Sequence, residues 1–193
     1  MAHKFDPKNK KKLQSKDRRQ NLPPDRVLAK IGLQPGQNFI DIGCGVGYFS
    51  LPASKILGPK GRVYALDTSE EMTEFLKSEL KALSIENVQV ANSTEYGFPL
   101  KDAAGEMLLM SMVLHEVEDK RRFLQEARRT LKSGGKIIII EWVKKETEQG
   151  PPLIHRLDPQ ETKDYLIDAG FKTPAVINID EVAKTFYLIT AEA

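Results

Sequence analysis

Apolar residues follow two rhythms along this chain. Short apolar runs of strand length lie near 37–42, 62–67, 87–91, 105–111 and 135–142, each bounded by turn-forming residues. Between them the apolar positions recur at helical spacing, which predicts helices near 24–32, 47–57, 69–84, 119–132 and 159–169. In the stretch 119–132, Phe123, Leu124, Ala127 and Leu131 share one face, as in a helix packed on a sheet. Strand and helix alternate after residue 36, which predicts an α/β fold with a parallel sheet covered on both faces.

The element boundaries carry their own signals. Thr68-Ser69-Glu70-Glu71 and Asp158-Pro159-Gln160-Glu161 are capping patterns that open helices. Gly134 and Gly170 stand where helices stop. Near the end, Pro174–Ile179 and Lys184–Ala191 flank Asp180-Glu181 and read as a closing hairpin.

The first strand runs into Ile42-Gly43-Cys44-Gly45-Val46-Gly47-Tyr48, with glycine at every second position. The dinucleotide fingerprint G-x-G-x-x-G needs glycine at 48, where Tyr48 stands, so the spacing argues against NAD. The second strand ends in Asp67, 20 residues beyond Gly47. In a doubly wound sheet that carboxylate lies beside the first strand, at the end where ligands sit. It can accept both ribose hydroxyl protons, in bonds of about 1.5–3 kcal/mol each.

Asp41 followed by Gly43, Gly45 and Gly47 resembles motif I of the class I S-adenosylmethionine (SAM) dependent methyltransferases, and the chain is most similar to their small "type 11"-like group. The resemblance spans about 25–193, after a basic arm at 1–24. It implies a Rossmann-like, doubly wound sheet, mostly parallel, with an antiparallel C-terminal hairpin strand. It also implies SAM as cofactor and S-adenosylhomocysteine as product. The cofactor contacts it implies are Asp41, Gly43, Cys44, Gly45, Gly47, Asp67, Thr68, Asn92, Ser93 and Ser111. The family usually carries Asp-Ala where Asn92-Ser93 opens the loop to Phe98-Pro99; an amide oxygen there can still accept the adenine amino proton.

Leu114-His115-Glu116 resembles the family segment that lines the pocket beside the methyl group. His115 is a candidate proton acceptor, a pocket wall or a structural cap. Leu131-Lys132-Ser133-Gly134-Gly135 resembles the family turn before strand five, and Glu141 and Trp142 leave that strand at the ligand end. With Phe5, Tyr48 and His155 they complete the expected substrate pocket. The polar loop 143–157 is long for its place and reads as a lid.

Composition narrows the choice. One cysteine, Cys44, excludes an intramolecular disulfide, so a reducing, cytoplasmic setting is expected. No apolar run reaches membrane-spanning length, and no His/Cys spacing suggests a metal site. Residues 1–30 hold ten basic and three acidic side chains, +7, leaving −5 for the rest. That arm could meet RNA, but no aromatic-rich basic stripe accompanies it. Ser111-Met112-Val113-Leu114 lacks the Asp-Pro-Pro-aromatic signature of base amino-methyltransferases and the Mg²⁺-binding carboxylates of catechol-type enzymes. A small-molecule acceptor is the expectation, with an RNA acceptor or a catalytically silent SAM-binding protein as alternatives.

Overall fold

The computed structural model describes residues 16–147, 149–179 and 183–193. The elements in order are α1 (Lys16–Asn21), α2 (Pro24–Lys30), β1 (Asn38–Ile42), α3 (Ser50–Leu57), β2 (Arg62–Asp67) and α4 (Glu70–Ala82). Next come β3 (Val88–Asn92), β4 (Gly105–Ser111), a 3₁₀ turn (Leu114–Glu116), α5 (Lys120–Thr130) and β5 (Leu131–Trp142). A second 3₁₀ turn (Leu153–His155), α6 (Pro159–Asp168), β6 (Lys172–Ile177) and β7 (Phe186–Glu192) complete it.

The strands form one sheet in the order β3-β2-β1-β4-β5-β7-β6. The first five run parallel. β7 pairs antiparallel with β5, Ile139 opposite Ile189, and β6 pairs antiparallel with β7 on the outside. The expected hairpin is present, with its turn residues Asp180 and Glu181 outside the described residues.

Burial on both faces explains the near-continuous apolar runs. One face buries Phe39, Val63, Ala65, Leu109, Ile138 and Ile140 under α2, α3 and α4, through Val27, Leu28, Ala53, Leu57, Leu76 and Leu80. The other buries Ile40, Leu66, Leu108, Met110, Ile137 and Ile139 under α5 and α6, through Phe123, Leu124, Ala127 and Leu166. The chain moves outward from β1 to β2 to β3, then returns to place β4 on the opposite side of β1. That reversal opens a crevice at the carboxyl ends of β1 and β4, where ligands bind in such sheets.

Three departures from the expected elements have identifiable causes. Helix α3 starts at Ser50 rather than 47, because the glycine loop continues through Gly47 with φ +85. Helix α5 ends at Thr130, because Leu131 already pairs with Gly105 of β4. Helix α1 carries no apolar periodicity in KDRRQN, so no pattern announces it. The residue after it ties it down: Leu22 is fully buried, and the Tyr48 hydroxyl donates to the Leu22 carbonyl at 2.7 Å. Within the described part of the expected N-terminal arm, Leu22 and Pro24 are buried in the domain, while Asp17, Arg19, Gln20 and Asn21 stay exposed.

Candidate active site

The glycine loop folds back over the end of β2: Gly43 and Cys44 both donate backbone N–H bonds to the Leu66 carbonyl, at 2.8 and 3.0 Å. Side chains are excluded from two of its positions. A Cβ on Gly43 would lie 2.3 Å from Val113 Cγ2, and one on Gly47 would lie 2.4 Å from Leu76 Cδ1. The loop is thus clamped between the exit of β4 and helix α4. Cys44 is buried, and burial pushes its thiol up, which makes it a wall rather than a nucleophile.

Asp67 fastens this loop to β2. Its Oδ2 accepts from the Gly45 N–H at 2.8 Å and its Oδ1 from the Ser69 N–H at 2.9 Å. Burial raises the Asp67 carboxyl, opposed by the backbone bonds from Ser69, Gly45 and Thr68, and the net shift is upward. Ser69 also caps α4, accepting from Met72 N–H.

Asn92 stands directly opposite Asp67 in the β2–β3 register, and Ser93 N–H donates to the Asp67 carbonyl. The Asn92 amide lies 3.0 Å from Thr73 Oγ1, which is also 3.0 Å from the Glu70 carbonyl. Thr73 has one hydroxyl proton, and the Glu70 carbonyl can only accept. The Thr73 hydroxyl donates to Asn92 Oδ1, and the Glu70 carbonyl, in the first turn of α4, is served by the helix's own backbone. Asn92 is exposed, and its amide oxygen keeps a second lone pair for an adenine amino group.

Two further polar groups complete this edge. Ser111 ends β4, and its Oγ is buried with no hydrogen-bond partner among the described residues. Such an orphaned hydroxyl at the carboxyl edge fits a polar ligand. Asp41 is almost wholly buried, and the Ser50 hydroxyl donates to its Oδ2 at 2.5 Å. Burial raises the Asp41 carboxyl to about 7; Asp67 adds to the rise, while Ser50 and Arg18 oppose it. Arg18 lies over the Tyr48 ring, 4.2 Å from its centroid. The glycine cradle, Asp67, Asn92 and Ser111 together fit a nucleoside with a polar tail.

The raised Asp41 carboxyl has a measurable consequence. The folded state holds this proton more tightly than the unfolded state does. Its stabilising contribution is therefore present below about pH 4 and is lost as the pH rises to about 7. Asp41→Asn removes the titration and keeps an acceptor for Ser50. Without ligand, its Tm at pH 8 is expected to exceed wild type by roughly 8–16 °C, from about 4 kcal/mol of lost destabilisation at about 2–4 °C per kcal/mol for a chain this long, with a flatter profile between pH 4 and 7. Melting curves across that range check it; parallel profiles would place the titrating group elsewhere.

Beyond Ser111 the chain turns sharply. Met112 adopts a left-handed backbone, φ +61, while its N–H still bonds the Ile140 carbonyl at 2.8 Å. The turn carries His115 back over β5, where it meets Glu141. The ring Nδ1 lies 2.7 Å from Glu141 Oε2, and the His115 backbone N–H donates to Glu141 Oε1 at 3.2 Å. Both side chains are buried. Burial pulls the imidazole down, but the bond and charge of Glu141, with Glu116, outweigh it and the net shift is upward.

The other expected pocket residues separate. Tyr48 is buried, with its hydroxyl spent on Leu22 and its ring edge-on to Phe49 at 5.2 Å. Trp142 ends β5 against Phe186, with ring centroids 4.5 Å apart. His155 is half-buried on the second 3₁₀ turn. Phe5 lies outside the described residues. The loop expected to be a lid is wound around a residue the sequence did not single out. Arg156 is buried and donates to the carbonyls of Pro151, Val143, Lys145 and Gln149 and to Thr147 Oγ1. Its guanidinium sits 5.4 Å from the Trp142 ring centroid. Among the described residues no group of three or more His, Cys, Asp or Glu could hold a metal ion, and no helix is long and apolar enough to cross a membrane.

Comparison with known proteins agrees with this geometry. The family model described as "Methyltransferase domain" matches residues 40–139. The chain is 33% identical over 116 residues to demethylmenaquinone methyltransferase of Staphylococcus aureus, covering 60% of this chain and 47% of that protein. The chain thus spans about half the length of the curated relatives it matches. A solved structure of a SAM-dependent methyltransferase from Aquifex aeolicus superposes with a TM-score of 0.91 at 34% identity, covering 97% of this chain and 98% of that one. Phosphoethanolamine N-methyltransferase 2 of Haemonchus contortus, solved with SAM, shares the fold at 13% identity with a TM-score of 0.73, covering 88% of this chain and 52% of that one.

Proposed function

The chain belongs to the class I SAM-dependent methyltransferases, and from that footing we propose that it transfers a methyl group from SAM to a small molecule held above the exits of β4 and β5. The observation that carries this reading is the Asp67–Gly45 bond, which fixes the glycine loop and a ribose-binding carboxylate in one rigid unit at the sheet reversal. Bound SAM supplies a methyl group already activated on a positively charged sulfur. The chain's task is then mainly placement, which can remove roughly 7–11 kcal/mol of a barrier.

In this reading Asp67 receives the ribose hydroxyls and the Asn92 carbonyl oxygen accepts the adenine amino proton. The glycine loop, with Gly43, Cys44, Gly45 and Gly47, and the Ser111 hydroxyl border the amino-acid tail. Thr68 and Ser93 flank the nucleoside. Asp41 and Arg18 supply opposite charges beneath the loop, suited to a zwitterion's ammonium and carboxylate. Trp142 and the Arg156-braced loop wall the acceptor side and keep water out. The curated relatives' named substrate, a demethylmenaquinone, supports a small acceptor.

The test is a calorimetric titration and then labelling. SAM and S-adenosylhomocysteine should bind at least about tenfold more tightly than NAD, a gap of about 1.4 kcal/mol. NAD binding as tight as SAM would sink the reading. Label from radioactive SAM, incubated with cell extract, should enter an RNase-resistant, small-molecule fraction; RNase-sensitive label would move the acceptor to RNA.

A further inference from the structure

We infer that Glu141 is a positioning residue that holds His115 as a proton acceptor, and that the acceptor's reacting group is therefore a hydroxyl of the phenol or hydroquinone kind. This rests on the methyltransferase reading above and deepens it.

Placement comes first. Val113, two residues before His115, touches the position of the missing Gly43 Cβ, so the turn that carries His115 borders the glycine cradle. Glu141 is the penultimate residue of β5, one strand over, at the same carboxyl edge. Glu141 also breaks an apolar run: Ile137 to Ile140 precede it, and it is only 1% exposed. A carboxylate at such a depth costs free energy that an apolar side chain would not. Both of its oxygens are spent on one residue, the ring and the backbone of His115.

That double grip decides the chemistry of the ring. A carboxylate only accepts, so Nδ1 carries the proton facing Glu141. In the neutral ring Nε2 then holds the free lone pair. The nearest carboxylate to Nε2 is Glu116, whose Oε1 at 3.9 Å lies beyond hydrogen-bond reach. This is the orientation in which a histidine takes a proton from a nucleophile, with the acid behind it stabilising the imidazolium. The charged groups around the ring are Glu141 on β5, Glu116 on its own turn and Lys120 at the start of α5. Tyr187 on β7 stands beyond Glu141.

A positioned base serves one kind of acceptor best. An amine attacks through its own lone pair and sheds its proton afterwards. A phenolic hydroxyl, with a pKa of about 10, is a poor nucleophile until its proton leaves. In the balanced step, Nε2 takes the hydroxyl proton as the oxygen, or the ring carbon it activates, forms the bond to the methyl carbon. The methyl–sulfur bond breaks and its electron pair stays on sulfur, cancelling the positive charge there. In carbon attack the ring carbon then loses its own hydrogen as a proton. His115 returns its proton to water.

The experiment uses the full chain with SAM and two probes that differ only in the reacting atom, 1-naphthol and 1-naphthylamine. Nitrogen NMR of the wild-type protein should show the neutral His115 ring protonated at Nδ1. Its titration midpoint should lie above the usual histidine value and fall in Glu141→Gln. Methyl transfer to 1-naphthol should outpace transfer to 1-naphthylamine and increase as the pH rises through the midpoint. His115→Gln should cut it by about 10²–10⁴-fold. Glu141→Gln should shift the pH limb downward and lower the plateau at least about tenfold. The proposal is overturned by an Nε2-protonated neutral ring, by a His115 midpoint unchanged in a folded Glu141→Gln, or by naphthylamine as the faster acceptor. No transfer to 1-naphthol by a protein that binds SAM also overturns it, whereas failure to bind SAM at all defeats the underlying reading instead. If Glu141→Gln does not fold, the wild-type ring state and the His115→Gln rates decide.

Discussion

Asp67→Ala is expected to weaken SAM binding by about 2–4 kcal/mol, roughly 30- to 1000-fold in Kd. Two losses combine. The ribose hydroxyls lose a charged acceptor, and the glycine loop loses the anchor that Asp67 provides through Gly45 N–H at 2.8 Å. The second loss makes a companion variant informative. Asp67→Asn keeps an oxygen for Gly45 but removes the charge, so its affinity should fall between wild type and Asp67→Ala. Calorimetry measures all three. Near wild-type affinity in Asp67→Ala would show that the ribose is held elsewhere.

Gly47→Ala should destabilise the protein by about 2–5 kcal/mol. Left-handed backbone at a non-glycine residue costs about 1–2 kcal/mol, and Gly47 has φ +85. Forcing a methyl into a filled space adds about 1–3 kcal/mol. The space is filled here by Leu76 Cδ1 at 2.4 Å and by Leu51 Cγ at 3.3 Å. Leu76 is wholly buried in α4 and cannot swing into water. Gly36→Ala is the matched control, because Gly36 has φ +81 but nothing within 4 Å of a Cβ. The control should show only the backbone part. A drop in Tm of roughly 4–20 °C is expected for Gly47→Ala, and SAM binding should fail with it. Equal melting shifts in the two variants would mean that the loop is not clamped by α4.

The sequence carried most of the sheet. Runs such as Ile137–Ile140 are apolar at every position because helices cover both faces, and that signal is local. The Asp158 capping box is equally local, and both of its bonds are present. The glycine spacing and Asp67 were legible for a similar reason, since each closes a strand at a fixed point of the repeat. Helix α1 was not legible, because what holds it is Tyr48, 26 residues from the Leu22 carbonyl it grips. Arg156 was invisible too: its partners are loop carbonyls, which no residue type advertises.

The sequence alone determined the strands, the helices other than α1, the glycine spacing and the family resemblance, because each depends on residues within a turn or a strand of one another. Only the tertiary structure decided that His115 and Glu141, 26 positions apart, form a buried pair. That pairing depends on β4 and β5 lying side by side and on the left-handed bend at Met112, which turns the chain back over β5. Strand adjacency and exit angle are set by the packing of the whole sheet, so no local pattern of side chains could announce them.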